Sequence, residues 1–312
     1  MNHLSGKGKR IIICLLFASF FVACTPQSVE IGERIIIKAG GSIITLPHTY
    51  VIGVDGTGEI SVRFPRGLGD NPEWSPDGLW VAYDTQYIAG GLYKSQIYIM
   101  QSDGSHRIKV TNNSWGSFHP DWSPDRSHIA YEASGKIYLM EVKCILLDEK
   151  CNLTPILLAS GEFPDWSPDG KFILYINLEQ SNEIVRRKVF IINVDGTEAP
   201  KNITPLNSTY CHQAKWSPDG SRIVVGCDGN IYIMDSDGLN AIRVGEGGSP
   251  LWSPDGSQIT FISERDDDLG KPLDFEGSTT SNALYIMNAD GTNIIRLSLR
   301  SNENVLWYAW MP

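Results

Sequence analysis

The 312-residue sequence lacks several features that would assign it to common protein classes. No segment after residue 30 shows the apolar spacing of an amphipathic helix, so a helical fold is not expected. The longest apolar run, residues 11–22, is too short to span a bilayer. The G-x-S-x-G elbow of the α/β-hydrolases is absent as well, which excludes a serine hydrolase of that class.

An excess of positive charge is also absent. The formal net charge is −10, whereas nucleic-acid binding depends largely on Lys and Arg side chains that neutralise phosphates. If Lys7, Lys9 and Arg10 are removed with an export signal, the net charge falls to −13. The mature chain is therefore not expected to bind nucleic acid.

The first residues are typical of an export signal. Three cations precede the apolar run, and small residues follow it. The run ends in Phe21-Val22-Ala23-Cys24, which resembles the lipobox of bacterial lipoproteins, where cleavage precedes a cysteine that receives lipid. We therefore predict a lipoprotein signal peptide at residues 1–23, a lipid on Cys24 and a tether at residues 24–32. The alternative is an ordinary secretory signal with an incidental cysteine.

What the sequence does contain is a repeated motif, Trp-Ser-Pro-Asp-Gly, whose copies are spaced 36 to 50 residues apart. A fixed motif at such intervals indicates a repeat architecture. One copy departs from it, with Arg126 in place of the glycine. The copies begin at Trp74, Trp122, Trp166, Trp216 and Trp252.

Each motif is followed by two short runs of alternating β-branched and aromatic residues, such as 222–225 and 231–234. A period of two predicts β-strands. Proline presets a tight turn and glycine accepts positive φ, so the motif predicts a hairpin; Arg126 predicts strain or a different turn. Asp-Gly pairs after the third strand predict a further hairpin. Each repeat is thus expected to be a four-stranded antiparallel sheet.

Both chain ends contribute to a sixth repeat. Residues 34–39 supply its second strand, residues 50–63 its third and fourth strands, and Trp310 aligns with the tryptophans that open the other repeats. The sequence therefore predicts an all-β, six-bladed β-propeller over residues 33–312. It is closed by pairing N- and C-terminal strands in one composite blade, which leaves no open sheet edge.

The motif and the I-Y-[IL]-M runs that follow it resemble the propeller repeats of TolB and of the wider WD-like propeller family. The resemblance spans residues 34–312. It implies an envelope location and is specific for fold rather than for function. TolB also carries an amino-terminal α/β domain, for which residues 24–33 leave no room, so the expectation is a stand-alone propeller on a lipid anchor.

Candidate binding residues lie in the connections opposite the motif turns. Loops are expected at residues 85–95, 177–188 and 263–282, and binding commonly resides in such loops. The first two carry aromatic and arginine side chains, which are typical of recognition surfaces. The third is acidic and is interpreted as solvated, because the ligand spacing of a calcium loop is missing. The predicted residues are Tyr87, Tyr93, Arg186, Arg187, Asp266, Asp267 and Asp268.

A second group precedes the motif tryptophans, where the blades should meet at the mouth of a central channel: His119, Glu162, Tyr210, His212 and Gln213. These residues are interpreted as a polar rim held by hydrogen bonds. Resemblance to the oligogalacturonide lyases, propeller enzymes with a His/Gln metal site at the channel, implies an alternative in which His119, His212 and Gln213 hold a metal. Two histidines without a third ligand are a poor metal signature, so no metal or cofactor is expected.

Four of the six cysteines remain after signal cleavage and lipidation, an even number in an exported chain. Cys211 and Cys227 lie eight residues either side of Asp219, the centre of a hairpin turn, so strand register predicts a disulfide. Cys144 and Cys151 flank an insertion that a second bridge would clamp. Buried unpaired thiols are the alternative.

These patterns predict a monomeric, membrane-anchored lipoprotein in the periplasm or on the outer face of a bacterial membrane. Its expected role is to bind or scaffold an envelope or extracellular protein, with membrane contact through the lipid only. It is not expected to be an enzyme. The alternative is a metal-dependent, lyase-like carbohydrate-active enzyme with a site at the channel mouth.

Overall fold

The structure is a computed structural model that describes residues 34–40, 48–53, 60–61, 70–89, 92–147, 153–181, 184–264, 282–297 and 304–311. Within these ranges, six four-stranded antiparallel sheets account for nearly all regular structure. The predicted six-bladed all-β propeller is confirmed. The predicted signal peptide, lipidated Cys24 and tether lie outside the described residues.

The composite blade, blade 6, contains β1 (Arg34–Gly40), β2 (His48–Gly53) and β3 (Ile60–Ser61). Blade 1 contains β4 (Asp70–Trp74), β5 (Trp80–Ala89), β6 (Leu92–Gln101) and β7 (Ile108–Lys109). Blade 2 contains β8 (Phe118–Trp122), β9 (His128–Ala133), β10 (Lys136–Glu141), the short helix α1 (Lys143–Leu146) and β11 (Ile156–Ser160).

Blade 3 contains β12 (Glu162–Trp166), β13 (Phe172–Ser181), β14 (Ile184–Asn193) and β15 (Lys201–Asn202). Blade 4 contains β16 (Cys211–Trp216), β17 (Arg222–Cys227), β18 (Asn230–Asp235) and β19 (Ile242–Glu246). Blade 5 contains β20 (Gly248–Trp252), β21 (Gln258–Ser263), β22 (Ala283–Asn288) and β23 (Ile295–Arg296), and β24 (Asn304–Trp310) completes blade 6.

The ring closes through the two ends of the chain. Strand β24 pairs antiparallel with β1, with Ile35 opposite Trp310 and Ile37 opposite Tyr308. The sheet order β24-β1-β2-β3 is the one that the sequence predicted. The C-terminal strand therefore occupies the innermost position of blade 6.

The Trp-Ser-Pro-Asp-Gly motif forms the same turn in each blade that carries it. In blade 4 the N–H of Gly220 donates to the carbonyl of Ser217 at 2.8 Å, and Asp219 accepts from the hydroxyl of Ser217 at 2.6 Å. Arg126 takes the glycine position of blade 2 with a φ of 61°, close to the 70° of Gly220. Of the two expectations for Arg126, the structure shows the common turn with a strained non-glycine residue.

The hydrophobic core lies between neighbouring blades. Leu174 and Val189 of blade 3 pack in one cluster with Trp216 and Val225 of blade 4, and all four are buried. Burying one such aliphatic side chain contributes about 1.5 to 3 kcal/mol. Because this packing repeats from blade to blade, the ring forms a rigid frame for its channel.

Two predicted loops are strands instead. Strands β5 and β6 pair continuously from Trp80↔Gln101 to Ala89↔Leu92, and β13 and β14 pair from Phe172↔Asn193 to Ser181↔Ile184. The expected loops at residues 85–95 and 177–188 are therefore the upper parts of two long hairpins. In the blade 3 hairpin, residues 178–180 and 185–186 are exposed, so no apolar alternation marks this part of the strands.

Candidate functional site

The propeller has two faces of different construction. On the face that we call the turn face, the motif turns meet the turns between third and fourth strands, as where the N–H of Ser236 donates to the carbonyl of Ser221 at 3.1 Å. On the opposite face, the upper face, second-to-third strand turns meet the connections between blades, as where Gly161 donates to Gly135 at 2.9 Å. The two long hairpins rise on the upper face.

Arg187 on β14 is the centre of a cluster on the upper face. Its Nη2 lies 2.7 Å from Oε2 of Glu162, and its Nε donates to the carbonyl of Cys211 at 3.1 Å. Its guanidinium carbon lies 5.6 Å from the ring centre of Phe163 and 5.5 Å from that of Tyr210. Cation–π contacts and an ion pair thus hold the guanidinium between two aromatic rings.

Both predicted histidines border this cluster, each with its own neighbours. The ring of His119 lies 4.1 Å from that of Phe163, and its Nδ1 lies 3.1 Å from Oε2 of Glu132. The ring of His212 lies 5.9 Å from that of Tyr210. Burial, reinforced by the charge of Arg187, lowers the pKa of His212, so this imidazole is neutral near pH 7.

Asp84 forms hydrogen bonds to residues of two neighbouring blades. The carboxylate is fully buried and accepts hydrogen bonds from Nδ2 of Asn71 at 2.8 Å and from the backbone of His119 at 3.3 Å. Burial raises its pKa. Since Asn71 belongs to blade 1 and His119 to blade 2, Asp84 joins the two blades through these hydrogen bonds.

Deeper in the channel, four charged residues occupy one repeat position, the residue before the motif tryptophan: Glu73, Asp121, Asp165 and Lys215. They come from four different blades yet interact electrostatically, which places them together at the centre of the ring. Burial raises the pKa of Glu73 and of Asp121. Burial alone would lower the pKa of Lys215, but the three carboxylates raise it, so the lysine remains charged.

Sequence reasoning missed this channel cluster. Its signal was available, because aligning the motif copies places Glu, Asp, Asp and Lys in one column, with Leu251 and Ala309 at the two remaining positions. The residues that line the centre of a propeller come from its innermost strands, so a charged column there predicts a charged channel. Within one repeat the charged residue is not distinctive, so the pattern becomes visible only when the repeats are aligned.

The structure brings together Glu162, Arg187, Tyr210 and His212, and His119 joins them through Phe163. Arg186 is exposed on β14, and Gln213 lies on β16 at a register shift opposite Gly226. The side chains of Tyr87 and Tyr93 and residues Asp266, Asp267 and Asp268 lie outside the described part of the structure.

The metal alternative gains no support from the geometry. In the part of the chain that the structure describes, no group of three or more His, Cys, Asp or Glu side chains is placed to hold a metal ion. His119 faces Glu132, whereas His212 faces Tyr210.

Cys211 and Cys227 form a disulfide and stand opposite each other in the register of β16 and β17. Cys211 directly precedes His212 in the chain, and its carbonyl accepts from Nε of Arg187. Cys144 is also disulfide-bonded. Cys151 lies outside the described residues, so the pairing of Cys144 with Cys151 stays a prediction.

Six four-stranded antiparallel sheets around a central channel define a β-propeller. Residues 162–312 match the family model described as the TolB beta propeller domain. The repeats from blade 3 onward are therefore similar to those of TolB, which agrees with the resemblance seen in the sequence.

Solved structures give the same fold. TolB from Acinetobacter baumannii superposes with a TM-score of 0.68 at 19% identity, covering 90% of this chain and 67% of that chain. A putative TolB from Agrobacterium tumefaciens gives 0.58 at 19% identity and covers 90% and 99%. An oligogalacturonate lyase in complex with manganese gives 0.51 at 13% identity and covers 86% and 74%.

Among curated proteins, an uncharacterized protein of Agrobacterium fabrum is 30% identical over 32% of this chain and 38% of its own length. The match therefore spans less than half of that relative. No helix within the described residues is long and apolar enough to cross a membrane.

Proposed function

We propose that this chain is an exported, lipid-anchored propeller that binds a protein partner in the cell envelope through its upper face. The observation that carries the proposal is the arrangement around Arg187. The guanidinium of Arg187 lies between Phe163 and Tyr210. Tyr210 is half exposed, with 51% of its surface in solvent. Arginine and tyrosine anchors of this kind dominate protein interfaces when they are already ordered before binding.

The surroundings of Tyr210 fit a protein-sized partner. Val185 on the tip of the blade 3 hairpin is 54% exposed and Leu206 on the adjoining connection is 88% exposed, so apolar surface continues outward from the cluster. Trp115, 77% exposed, adds an aromatic side chain between blades 1 and 2. A surface with ordered aromatic anchors and scattered apolar groups is typical of protein interfaces.

A capture experiment with matched variants tests this role. The full mature chain, immobilised and exposed to solubilised envelope extract, should retain a partner that Tyr210→Ala loses by at least about tenfold, the effect of removing one hot-spot aromatic. Leu239→Ala is the control, because Leu239 is 62% exposed but lies on the turn face. Equal retention by wild type and Tyr210→Ala would contradict a partner site on the upper face.

The proposed anchor is tested separately. Cys24→Ser should move the protein from the membrane fraction to the soluble extracytoplasmic fraction and abolish incorporation of a labelled fatty acid. An ordinary secretory signal would instead give an unlabelled soluble protein in both the wild type and the variant. The expected monomeric state is checked by light scattering on the mature chain lacking the lipid.

A further inference from the structure

The turn face carries an open cleft of about 470 Å³ between blades 3 and 4. Phe172 and Ile191 of blade 3 form one wall, and Trp216 of blade 4 forms the other. The cluster around Arg187 does not reach this cleft, because the two lie on opposite faces of the ring. The sequence placed function on the upper face alone, so this cleft is a separate feature of the structure.

The rim of the cleft is acidic. Among the described residues that line it, Asp169, Glu198, Asp219 and Asp237 are acidic and Lys201 is the one cation. Lys201 is held at the edge, where its Nζ donates to the carbonyl of Asp237 at 2.9 Å. The hydroxyl of Ser217 and the N–H of Ser221 lower the pKa of Asp219 to about 2, so its carboxylate is ionised throughout the physiological range. Lys171 pairs with Asp169 at 3.2 Å but points into solvent.

The neighbouring groove shows which chemistry fits against the motif tryptophan. Between blades 4 and 5, the guanidinium carbon of Arg222 lies 4.8 Å from the ring centre of Trp252. Arg222 is the first residue of β17, and Phe172 is the first residue of β13, so the two occupy the same repeat position. Where blade 4 supplies its own guanidinium to the next tryptophan, blade 3 supplies the phenyl ring of Phe172, which packs against the core cluster that contains Trp216 and also lines the cleft.

We propose that the cleft between blades 3 and 4 binds the guanidinium group of an arginine side chain from a partner protein. The ring of Phe172 and the 9% of Trp216 that remains exposed contact the planar cation, and the rim carboxylates provide its counter-charge. The cleft thereby accepts from outside the group that Arg222 provides internally one blade further on. An acidic rim disfavours carboxylate and phosphate ligands.

The probe for this site is N-acetyl-arginine amide, with N-acetyl-citrulline amide as its neutral isostere. Titration of the mature chain, followed by the indole N–H signals of ¹⁵N-labelled tryptophan, should shift the Trp216 signal with the arginine compound. The citrulline compound should bind at least about tenfold more weakly, because it lacks the charge that the rings and carboxylates recognise. Equal affinity for the two compounds, or no shift of the Trp216 signal, overturns the proposal.

Two variants give an independent readout. Phe172→Arg should place a guanidinium on Trp216, as Arg222 does on Trp252, and so block the arginine probe. Glu198→Gln removes one rim charge at an exposed side chain and should weaken the probe about two- to fivefold without affecting the fold, since exposed charge pairs contribute under about 1 kcal/mol. Unchanged binding to Glu198→Gln and to folded Phe172→Arg would also overturn it. These outcomes are separate from those at Tyr210.

Discussion

Inside the channel, the Nζ of Lys215 lies 2.7 Å from Oδ1 of Asp165. The other oxygen of the same carboxylate accepts from the backbone N–H of Trp216 at 2.8 Å. Asp165 belongs to blade 3, and both of its partners belong to blade 4. One carboxylate therefore joins two neighbouring blades by an ion pair and a hydrogen bond, and Asp121 repeats the hydrogen bond one blade earlier, to the N–H of Trp166 at 2.6 Å.

Lys215→Met is expected to lower the free energy of unfolding by about 3 kcal/mol, because it leaves Glu73, Asp121 and Asp165 without their shared cation. The loss should shrink as the pH falls, since burial raises the pKa of Glu73 and of Asp121 and these carboxyls then take up protons. Urea denaturation between about pH 7 and pH 5 measures both effects.

The control for this variant is Lys171→Met, which breaks the pair with Asp169 at a lysine side chain that is 73% exposed. An exposed pair of this kind contributes under about 1 kcal/mol. If both methionine variants lose the same small amount of stability at every pH, the channel cluster does not hold the blades together.

The aspartates of the five motif turns make the fold sensitive to acid. They are Asp77, Asp125, Asp169, Asp219 and Asp255. Hydrogen bonds to serine hydroxyls and backbone N–H groups lower the pKa of all five of them, and bring it to about 2 for Asp125 and for Asp219. A carboxyl whose pKa is lower in the folded than in the unfolded chain stabilises the fold above its unfolded pKa of 3.8. That contribution disappears as the pH falls towards 2, so the melting temperature should drop steeply over this interval.

Ser221→Ala tests the origin of this acid effect. Its hydroxyl donates to Asp219 at 2.8 Å, so removing it should bring the pKa of Asp219 back towards its ordinary value and flatten the fall in melting temperature below about pH 4. Ser102→Ala, an exposed change on the same face, should leave the slope unchanged. An identical slope in both variants would show that the aspartate turns do not cause the acid effect.

The sequence predicted the fold well because its determinants are local. A turn such as residues 217–220 needs only the geometry of proline, aspartate and glycine, and the strands beside it show the period of a half-buried sheet. Within the candidate site, Arg187 and Tyr210 were found from their residue types, but their contact was not. Arg187 was assigned to a loop, and the contact depends on how far the hairpin of β13 and β14 rises.

The channel cluster could not be found from any single segment. Glu73, Asp121, Asp165 and Lys215 are separated by 142 residues from first to last, and only closure of the ring brings their charges together. The cleft between blades 3 and 4 depends in the same way on a difference between repeats, Phe172 where blade 4 has Arg222. A consensus emphasises what repeats share, whereas these features arise where the repeats differ.

Two glycine-to-alanine substitutions distinguish the cost of backbone strain from the cost of steric overlap. Gly220 has a φ of 70°, and an added Cβ would meet nothing nearer than Pro168 at 3.6 Å, so Gly220→Ala should cost only about 1 to 2 kcal/mol of left-handed backbone strain. Gly238 has a φ of 86°, and its Cβ would lie 2.5 Å from the Cβ of Ile203. Gly238→Ala should therefore cost more, about 3 kcal/mol or above, since overlap adds to strain. Equal losses of unfolding free energy would contradict this account.

The disulfide between Cys211 and Cys227 gives the last prediction. It closes a segment with a sequence separation of 16 and lies fully buried beneath the upper-face cluster. A cross-link over such a segment contributes about 2 to 3 kcal/mol by restricting the unfolded chain. Replacing both cysteines by alanine should lower the free energy of unfolding by about that amount.

Reductant provides the control for this double variant. It should destabilise the wild-type protein by at least as much as the double substitution does, because it also opens the bond at Cys144. Any further loss that reductant causes in the double variant then reports on that second bond alone. A double variant as stable as the oxidised wild type would show that β-sheet pairing, rather than the cross-link, holds β16 against β17 and keeps the carbonyl of Cys211 in place for Arg187.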